Sequence, residues 1–383
     1  MPKRLPLALI VLLFVPQPSR AVTWLVPTEC PTIQAGIDSA GYGDTVLVEP
    51  GTYYEHDIIM KNGVTLLGQM GPEATVIDAQ QLGRVIYCED VDSTTTIEGL
   101  TITGGNAPNS PWGGGICCKH ASPRILGNDI SENSAGAGGG IVCLDYSSPR
   151  IEGNTITHNL AGMAGGIGCE YSAPVIVSNV IAHNTANWDG GGIAFDEATI
   201  VSDNIITHNT ADMPDGYGGG IFCMGAGSLV TGNSITFNSA GYGGGIHTEW
   251  NGTFTGNTIS HNYAMWGGGV FIYYTSSPVL EGNIISFNGL NGLACYPGSP
   301  ASVTCCNFYN DVNFYECDDV IGINGNFSED PLFCDAGAED FHLDCSSPCV
   351  HGYGCGRIGA WGVGCGSTRV EPTTWSALKA LYR

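Results

Sequence analysis

Seven dipeptides that recur at one position of this chain hold the side chains best suited to chemistry: Lys119-His120, Leu144-Asp145, Glu170-Tyr171, Asp196-Glu197, Met224-Gly225, Glu249-Trp250 and Tyr273-Tyr274. Each pair sits three and four residues beyond the aliphatic residue that ends a glycine run, such as Gly113-Gly114-Gly115-Ile116. If the copies stack, carboxylates on neighbouring copies repel unless they are protonated or share a cation. Asp145, Glu170 and Asp196 are therefore candidates for a calcium site, and with Glu197 for an acid/base pair. A solvated acidic face uses the same residues. A second set precedes the glycine runs: Trp112, Met163, Trp188 with Asp189, Tyr217, Tyr242 and Trp266. Flat rings beside carboxylates such as Asp196, Glu197 and Glu249 form a surface for sugar faces, unless the rings fold back over the glycines.

These residues are held by a unit of 24 to 29 residues that recurs seven times, too short to bury a core alone. Within it the glycine run and Ile-x-Cys, then Pro-x-Ile, then Asn-x-Ile read as three short strands with every second residue inward. The fold class expected is all-β: a right-handed parallel β-helix solenoid of roughly ten three-stranded coils, handed by the usual crossover preference. Asn128, Asn154, Asn179, Asn204, Asn233, Asn257 and Asn283 form one column and their partners five residues later a second. An amide can donate to one coil and accept from the next, so both columns read as structure. His158, His183 and His208 share a slot with Phe237 and Phe287, which marks it for ring stacking rather than for metal. Cys118, Cys143, Cys169 and Cys223 share one with Phe195 and Ile272 and read as interior thiols.

Residues 1–21 have the pattern of an export signal, with Lys3, Arg4, an apolar run to Val15 and a small-residue site at Ala21. No later stretch is long enough to span a bilayer. The net charge is −24, with 12 Lys and Arg against 36 Asp and Glu, which argues against nucleic acid or anionic membrane as a partner. Nine cysteines from Cys295 to Cys365 suit disulfides in an exported chain better than a zinc site. Thr32 can cap a helix whose Ile33, Ile37 and Ala40 close the open end of the stack.

The segments Pro31 to Asp38 and Gly43 to Glu55, the Asn-Thr-Ile coils, and Asp330-Pro331-Leu332-Phe333 with Ser347-Pro348-Cys349 resemble secreted right-handed parallel β-helix proteins of the pectin-lyase-like superfamily. The resemblance implies an N-terminal cap and first coil over 22–60, the β-helix over 61–310, a Cys-rich C-terminal cap over 311–367 and a tail over 368–383. It is specific for architecture, because this superfamily holds lyases, hydrolases, epimerases and adhesins. Its polysaccharide lyases use an Arg or Lys beside calcium-bound carboxylates, and its hydrolases several Asp with a His and a basic pair. This chain departs from both, with only Arg84, Lys119, Arg124 and Arg150 as Lys or Arg between Arg84 and Asp330. Arg124 stacked under Arg150, with Asp145 and Glu170, is the nearest catalytic candidate and a possible uronate clamp. The expected function is thus a surface-displayed β-helix that binds glycan or matrix and requires no cofactor, although calcium could be bound. Alternatives are a lyase or hydrolase of acidic polysaccharide and a passive spacer.

Overall fold

The computed structural model describes residues 20–107, 112–212, 214–274, 276–299 and 301–366; most of the expected leader and the tail 368–383 lie outside them. One turn shows how the sequence makes the fold. Ile141–Leu144 belongs to sheet 1, Arg150–Glu152 to sheet 2, Thr155–Thr157 to sheet 3 and Leu160–Met163 to a shorter sheet 4. Ala164-Gly165-Gly166 then leads into Ile167–Glu170, which lies parallel to Ile141–Leu144 in register, so each residue sits beside its repeat partner. Sheets 1 and 3 have eleven strands, sheet 2 has twelve and sheet 4 has six. The solenoid is therefore longer than the roughly ten coils expected. The expected strands lacked Thr23–Val26 at the start and Leu293–Cys295, Ser302–Thr304 and Phe314–Tyr315 near the end, where the repeat signature fades. Sheet 4 adds a fourth strand to the middle turns.

The interior is a set of single-residue columns. Ile125, Ile151 and Ile176 stack within sheet 2, and Ile130, Ile156 and Ile181 within sheet 3, all fully buried. Cys88, Cys118, Cys143 and Cys169 form the sheet 1 column, followed by Phe195 and Cys223, as an apolar slot requires. The glycine run answers two constraints. Its first residue has a positive φ, 63° at Gly138 and 67° at Gly190. Its third abuts the next turn: a Cβ on Gly140, Gly166 or Gly192 would lie 2.8, 2.5 or 2.6 Å from the neighbouring glycine carbonyl oxygen.

Both asparagine columns are continuous ladders. The Asn179 backbone N–H and Nδ2 both donate to Asn204 Oδ1, at 2.9 and 3.0 Å, while Asn204 donates to Asn233 Oδ1 and to the carbonyls of Ile176 and Ser202. The same pattern runs from Asn128 to Asn283 and, in the second column, from Asn133 to Asn310. Beside the second ladder, His158, His183, His208, Phe237, His261 and Phe287 form the expected ring stack, with centroids 4.9 to 5.2 Å apart.

The ends differ. Ile33–Ser39 is a helix capped by Thr32, whose Oγ1 accepts from the Ala35 N–H at 3.1 Å, and its Ile33 and Ile37 are buried over the first turn. At the other end Val320 and Ile321 pack against the core. The chain then turns back along the side of the solenoid, a course the sequence reading did not anticipate. Phe333–Asp335, Asp340–Asp344 and Val363–Cys365 form a small separate sheet. Trp361 packs on Val180, Ala182 and Ile205 on the outer side of sheet 3, Ile358 on Ile284, and Phe341 against Phe237 and His261. Disulfides Cys295–Cys317, Cys305–Cys355 and Cys334–Cys365 tie this segment together and to the last turns.

Asn204→Ala leaves two Asn179 donors without their acceptor and removes the donor to acceptors on three turns, and should cost about 2–4 kcal/mol in denaturant unfolding. Arg150→Ala breaks only an exposed pair with Glu152 and should cost at most about 0.5 kcal/mol. Equal effects would mean that the ladder adds nothing to stability. Phe341→Ala, at a buried ring of the returning segment, should cost about 3 kcal/mol and expose residues 327–366 to limited proteolysis ahead of the solenoid.

Candidate functional site

Outward-facing residues of sheet 1 form a column that reads Ile59, Tyr87, Cys117, Val142, Gly168, Ala194, Phe222, His247, Phe271, Ala294 and Tyr315. Lys119, Leu144 and Glu170 form a second column two residues further along. Sheet 4 lies beside this face, and its last residues, Ala137 and Met163, continue through Trp112 on one side. Further along, Asp189, Tyr217, Tyr242 and Trp266 share a register. The aromatic set of the sequence is thus a wall along sheet 1, with one change. Asp189 occupies the register position, and Trp188, one residue earlier, is 61% exposed and projects over Gly162 instead.

The wall is open at one end and closed at the other. Tyr217 stacks on Tyr242 at 5.1 Å and meets His247 edge-on at 4.9 Å, while Tyr242 lies 5.4 Å from Phe271. These rings fold down onto sheet 1, as does Trp266 against Tyr315 at 5.0 Å. Beneath them His247 is fully buried; Glu249 Oε1 lies 3.5 Å from Nε2, and neither ring nitrogen has a hydrogen-bond partner. Burial lowers the His247 pKa, and burial followed by the Glu249 charge pushes the Asp189 carboxyl up to about 6.

At the open end a cavity of about 550 Å³ is lined by Asp57, Arg84, Tyr87, Trp112, Lys119, Asp145, Glu170 and Tyr171, among others. Arg84 Cζ sits 4.8 Å from the Tyr87 ring centre and Arg84 Nε 3.7 Å from Asp57; Lys119 Nζ is 3.4 Å from Glu89. Burial, then Glu89, pushes the Tyr87 hydroxyl up to about 12, and burial pushes the Cys117 thiol up to about 11. The Glu170 carboxyl is raised by burial and then by Asp196 and Asp145.

The sequence candidates divide accordingly. Asp145 and Glu170 line this cavity, and Trp112 and Glu170 also line a smaller neighbouring one with Asp196. Arg124 and Arg150 are register partners, as expected, but stand exposed on sheet 2, where Arg150 Nε is 2.6 Å from Glu152. They do not line the cavity that holds Asp145 and Glu170. Glu197 is exposed in the turn after sheet 1, and Glu249 belongs with His247 in the closed half. Among the described residues no three His, Cys, Asp or Glu come together as a metal site. The Asp196 carboxylate accepts from the Tyr171 N–H at 2.8 and 3.1 Å. Sequence reasoning gave no role to Arg84. Its signal was a break in the repeat, because Ile86 pairs with Ile116, which puts Arg84 level with Gly114.

Comparison with curated proteins finds no match. Among solved structures the chain is similar to pectate lyase Pel9A, with 13% identity and a TM-score of 0.56 over 90% of this chain and 96% of that one. It is also similar to the A-module of mannuronan C-5 epimerase AlgE6 from Azotobacter vinelandii, with 18% identity and a TM-score of 0.49 over 78% and 94%. At such identities the likeness concerns the fold. Residues 62–235 and 215–327 match the family described as "Right handed beta helix region", and over this greater part of its length the chain belongs to that family of right-handed parallel β-helices.

Proposed function

We propose that the open half of the sheet 1 cleft binds an acidic polysaccharide outside the cell. Arg84 and Lys119 take a uronate carboxylate, and Tyr87, Trp112 and Tyr171 offer ring faces to the sugars. The observation that carries this reading is the placement of positive charge. The chain has a net charge of −24, and only seven Lys or Arg fall among the described residues, yet two of them converge in one cavity. The aromatic half of the earlier expectation contributes less, because Tyr217 and Tyr242 spend their faces on His247 and Phe271. Export agrees with the leader pattern, with three disulfides, and with the finding that no described helix is long and apolar enough to cross a membrane.

A second reading, catalysis on the same polymer, is favoured by one specific arrangement. Lys119 and Arg84 share the cavity with Asp57, Asp145 and Glu170, so a basic group and carboxylates stand where a bound uronate would lie. Ultraviolet absorbance of unsaturated ends and a reducing-sugar assay, with and without added calcium, separate a lyase from a hydrolase and both from a binder.

Two outcomes are expected of the binding reading. Arg84→Ala with Lys119→Ala should weaken retention in affinity electrophoresis on polygalacturonate or alginate at least about ten-fold, and Arg124→Ala with Arg150→Ala should leave it unchanged. The reverse pattern would move the site to sheet 2. The second outcome concerns pH. Glu170 already has a raised pKa, and a bound uronate adds another negative charge, so binding takes up a proton there. Affinity should therefore rise as the pH falls from about 8 to about 5, while the uronate itself stays ionised. Glu170→Gln should bind more tightly at the upper end and flatten the profile in calorimetric titrations. A wild-type profile that is already flat would remove Glu170 from the site.

A further inference from the structure

Next to the charged cavity, and sharing Trp112 and Glu170 with it, is a second cavity of about 260 Å³. Its character is different. The walls are Val142, Met163, Phe222 and Met224 beneath Trp112, and its only charged side chains are Glu170 and Asp196. The floor is made by Gly168 and Ala194, register partners that are the smallest consecutive residues in the outer column, flanked by Val142 and Phe222.

The depression comes from a local inversion of the repeat. On the two flanking turns the first residue of the glycine run has no side chain and the outer-column residue four positions later does. A Cβ on Gly138 would lie 2.6 Å from Val142 Cβ, and one on Gly190 would lie 2.6 Å from Ala194 Cβ. At Ala164 and Gly168 the two roles are exchanged. Ala164 carries a methyl at a φ of 56°, a conformation that favours glycine, and a Cβ on Gly168 would then lie 3.0 Å from that methyl. The side chain has moved from the floor to the rim, and an apolar hollow opens on this turn, the only one among the described residues where the exchange occurs. The volume exceeds the roughly 150 Å³ of an apolar cavity known to admit benzene.

The geometry points to a composite ligand: an acidic saccharide that bears an aromatic substituent, with the carboxylate at Arg84 and Lys119 and the ring seated over Gly168 and Ala194. This rests on the reading of the charged cavity given above. The charge next to the hollow selects the acidic sugar, and the hollow selects the ring, so neither half alone defines the ligand. The two cavities share Trp112 and Glu170, so one ligand can occupy both at once.

Ligand-observed NMR titrations with 4-nitrophenyl β-D-glucuronide, methyl β-D-glucuronide and neutral 4-nitrophenyl β-D-glucoside test it on the intact chain. The aryl glucuronide should bind about ten-fold more tightly than the methyl glucuronide, the scale expected for burying one ring. Ala194→Leu fills the hollow with a side chain smaller than the Phe222 that its neighbouring turn accommodates. It should abolish that preference and leave binding of the methyl glucuronide intact, with circular dichroism confirming the fold. Equal affinity for aryl and methyl glucuronides in the wild type overturns the hollow as a subsite and leaves the charged cavity standing. If instead the neutral aryl glucoside binds as well as the aryl glucuronide, and Ala194→Leu weakens both, the hollow stands and the acidic reading falls. No binding of either aryl glycoside overturns the proposal outright.

Discussion

The in-register parallel contact between successive turns governs everything else in this molecule. Neighbouring strands lie about 4.8 Å apart, so every residue sits against its counterpart on the turn before and the turn after. A buried polar group can then be satisfied only by something that repeats with it. Asparagine meets that condition, because its amide donates and accepts at once, and each Oδ1 takes two hydrogen bonds from the preceding asparagine. The interior columns of Ile, Val and Cys, the stacked rings and the glycine run follow from the same rule. Each is a residue type compatible with itself at that spacing.

Outward positions are free of this rule, and there the turns differ. Sheet 3 loses its freedom to the returning C-terminal segment, which covers Val180, Ile205 and Ile284. Sheet 2 remains exposed, with Arg124, Ile200 and Leu229 in its outer column. Sheet 1 has the six-stranded sheet 4 projecting beside it, and a wall beside a flat face makes a cleft. Which half of the cleft stays open depends on ring size. Phe222, His247 and Phe271 give Tyr217 and Tyr242 something to fold onto, whereas Gly168 and Ala194 leave the cleft hollow.

The repeat made the architecture legible because its signals are redundant. Seven copies of a glycine run and of paired asparagines leave little choice of fold, and the Thr32 cap and the buried thiols were readable for the same reason. The returning segment was not, because its contacts with sheet 3 are far apart in sequence. Its trace was the apolar Val180, Ile205 and Ile284 at outward positions where other turns carry Asp129 or Thr155. Pairing the stacked Arg124 and Arg150 with Asp145 and Glu170 relied on closeness in the chain, whereas in a solenoid the five residues from Asp145 to Arg150 are enough to change sheets. Arg84 was readable only once the register showed it replacing a glycine.

The closed half of the cleft shows what such departures cost and what they permit. His247 stands where its neighbours are phenylalanines, fully buried with neither nitrogen hydrogen-bonded and with Glu249 beside it. A phenylalanine there would fill the same stack without placing two polar ring nitrogens among aromatic rings. Asp189, on the wall, is likewise held against its own ionisation by burial and by Glu249. These polar groups are misfits in a packed aromatic cluster, and they lie on the same face and the same wall as the open cavity. The repeat tolerates them because the asparagine ladders and isoleucine columns hold each turn independently of its outer face. The same independence lets Arg84 replace a glycine, and Ala164 exchange roles with Gly168, without disturbing the stack.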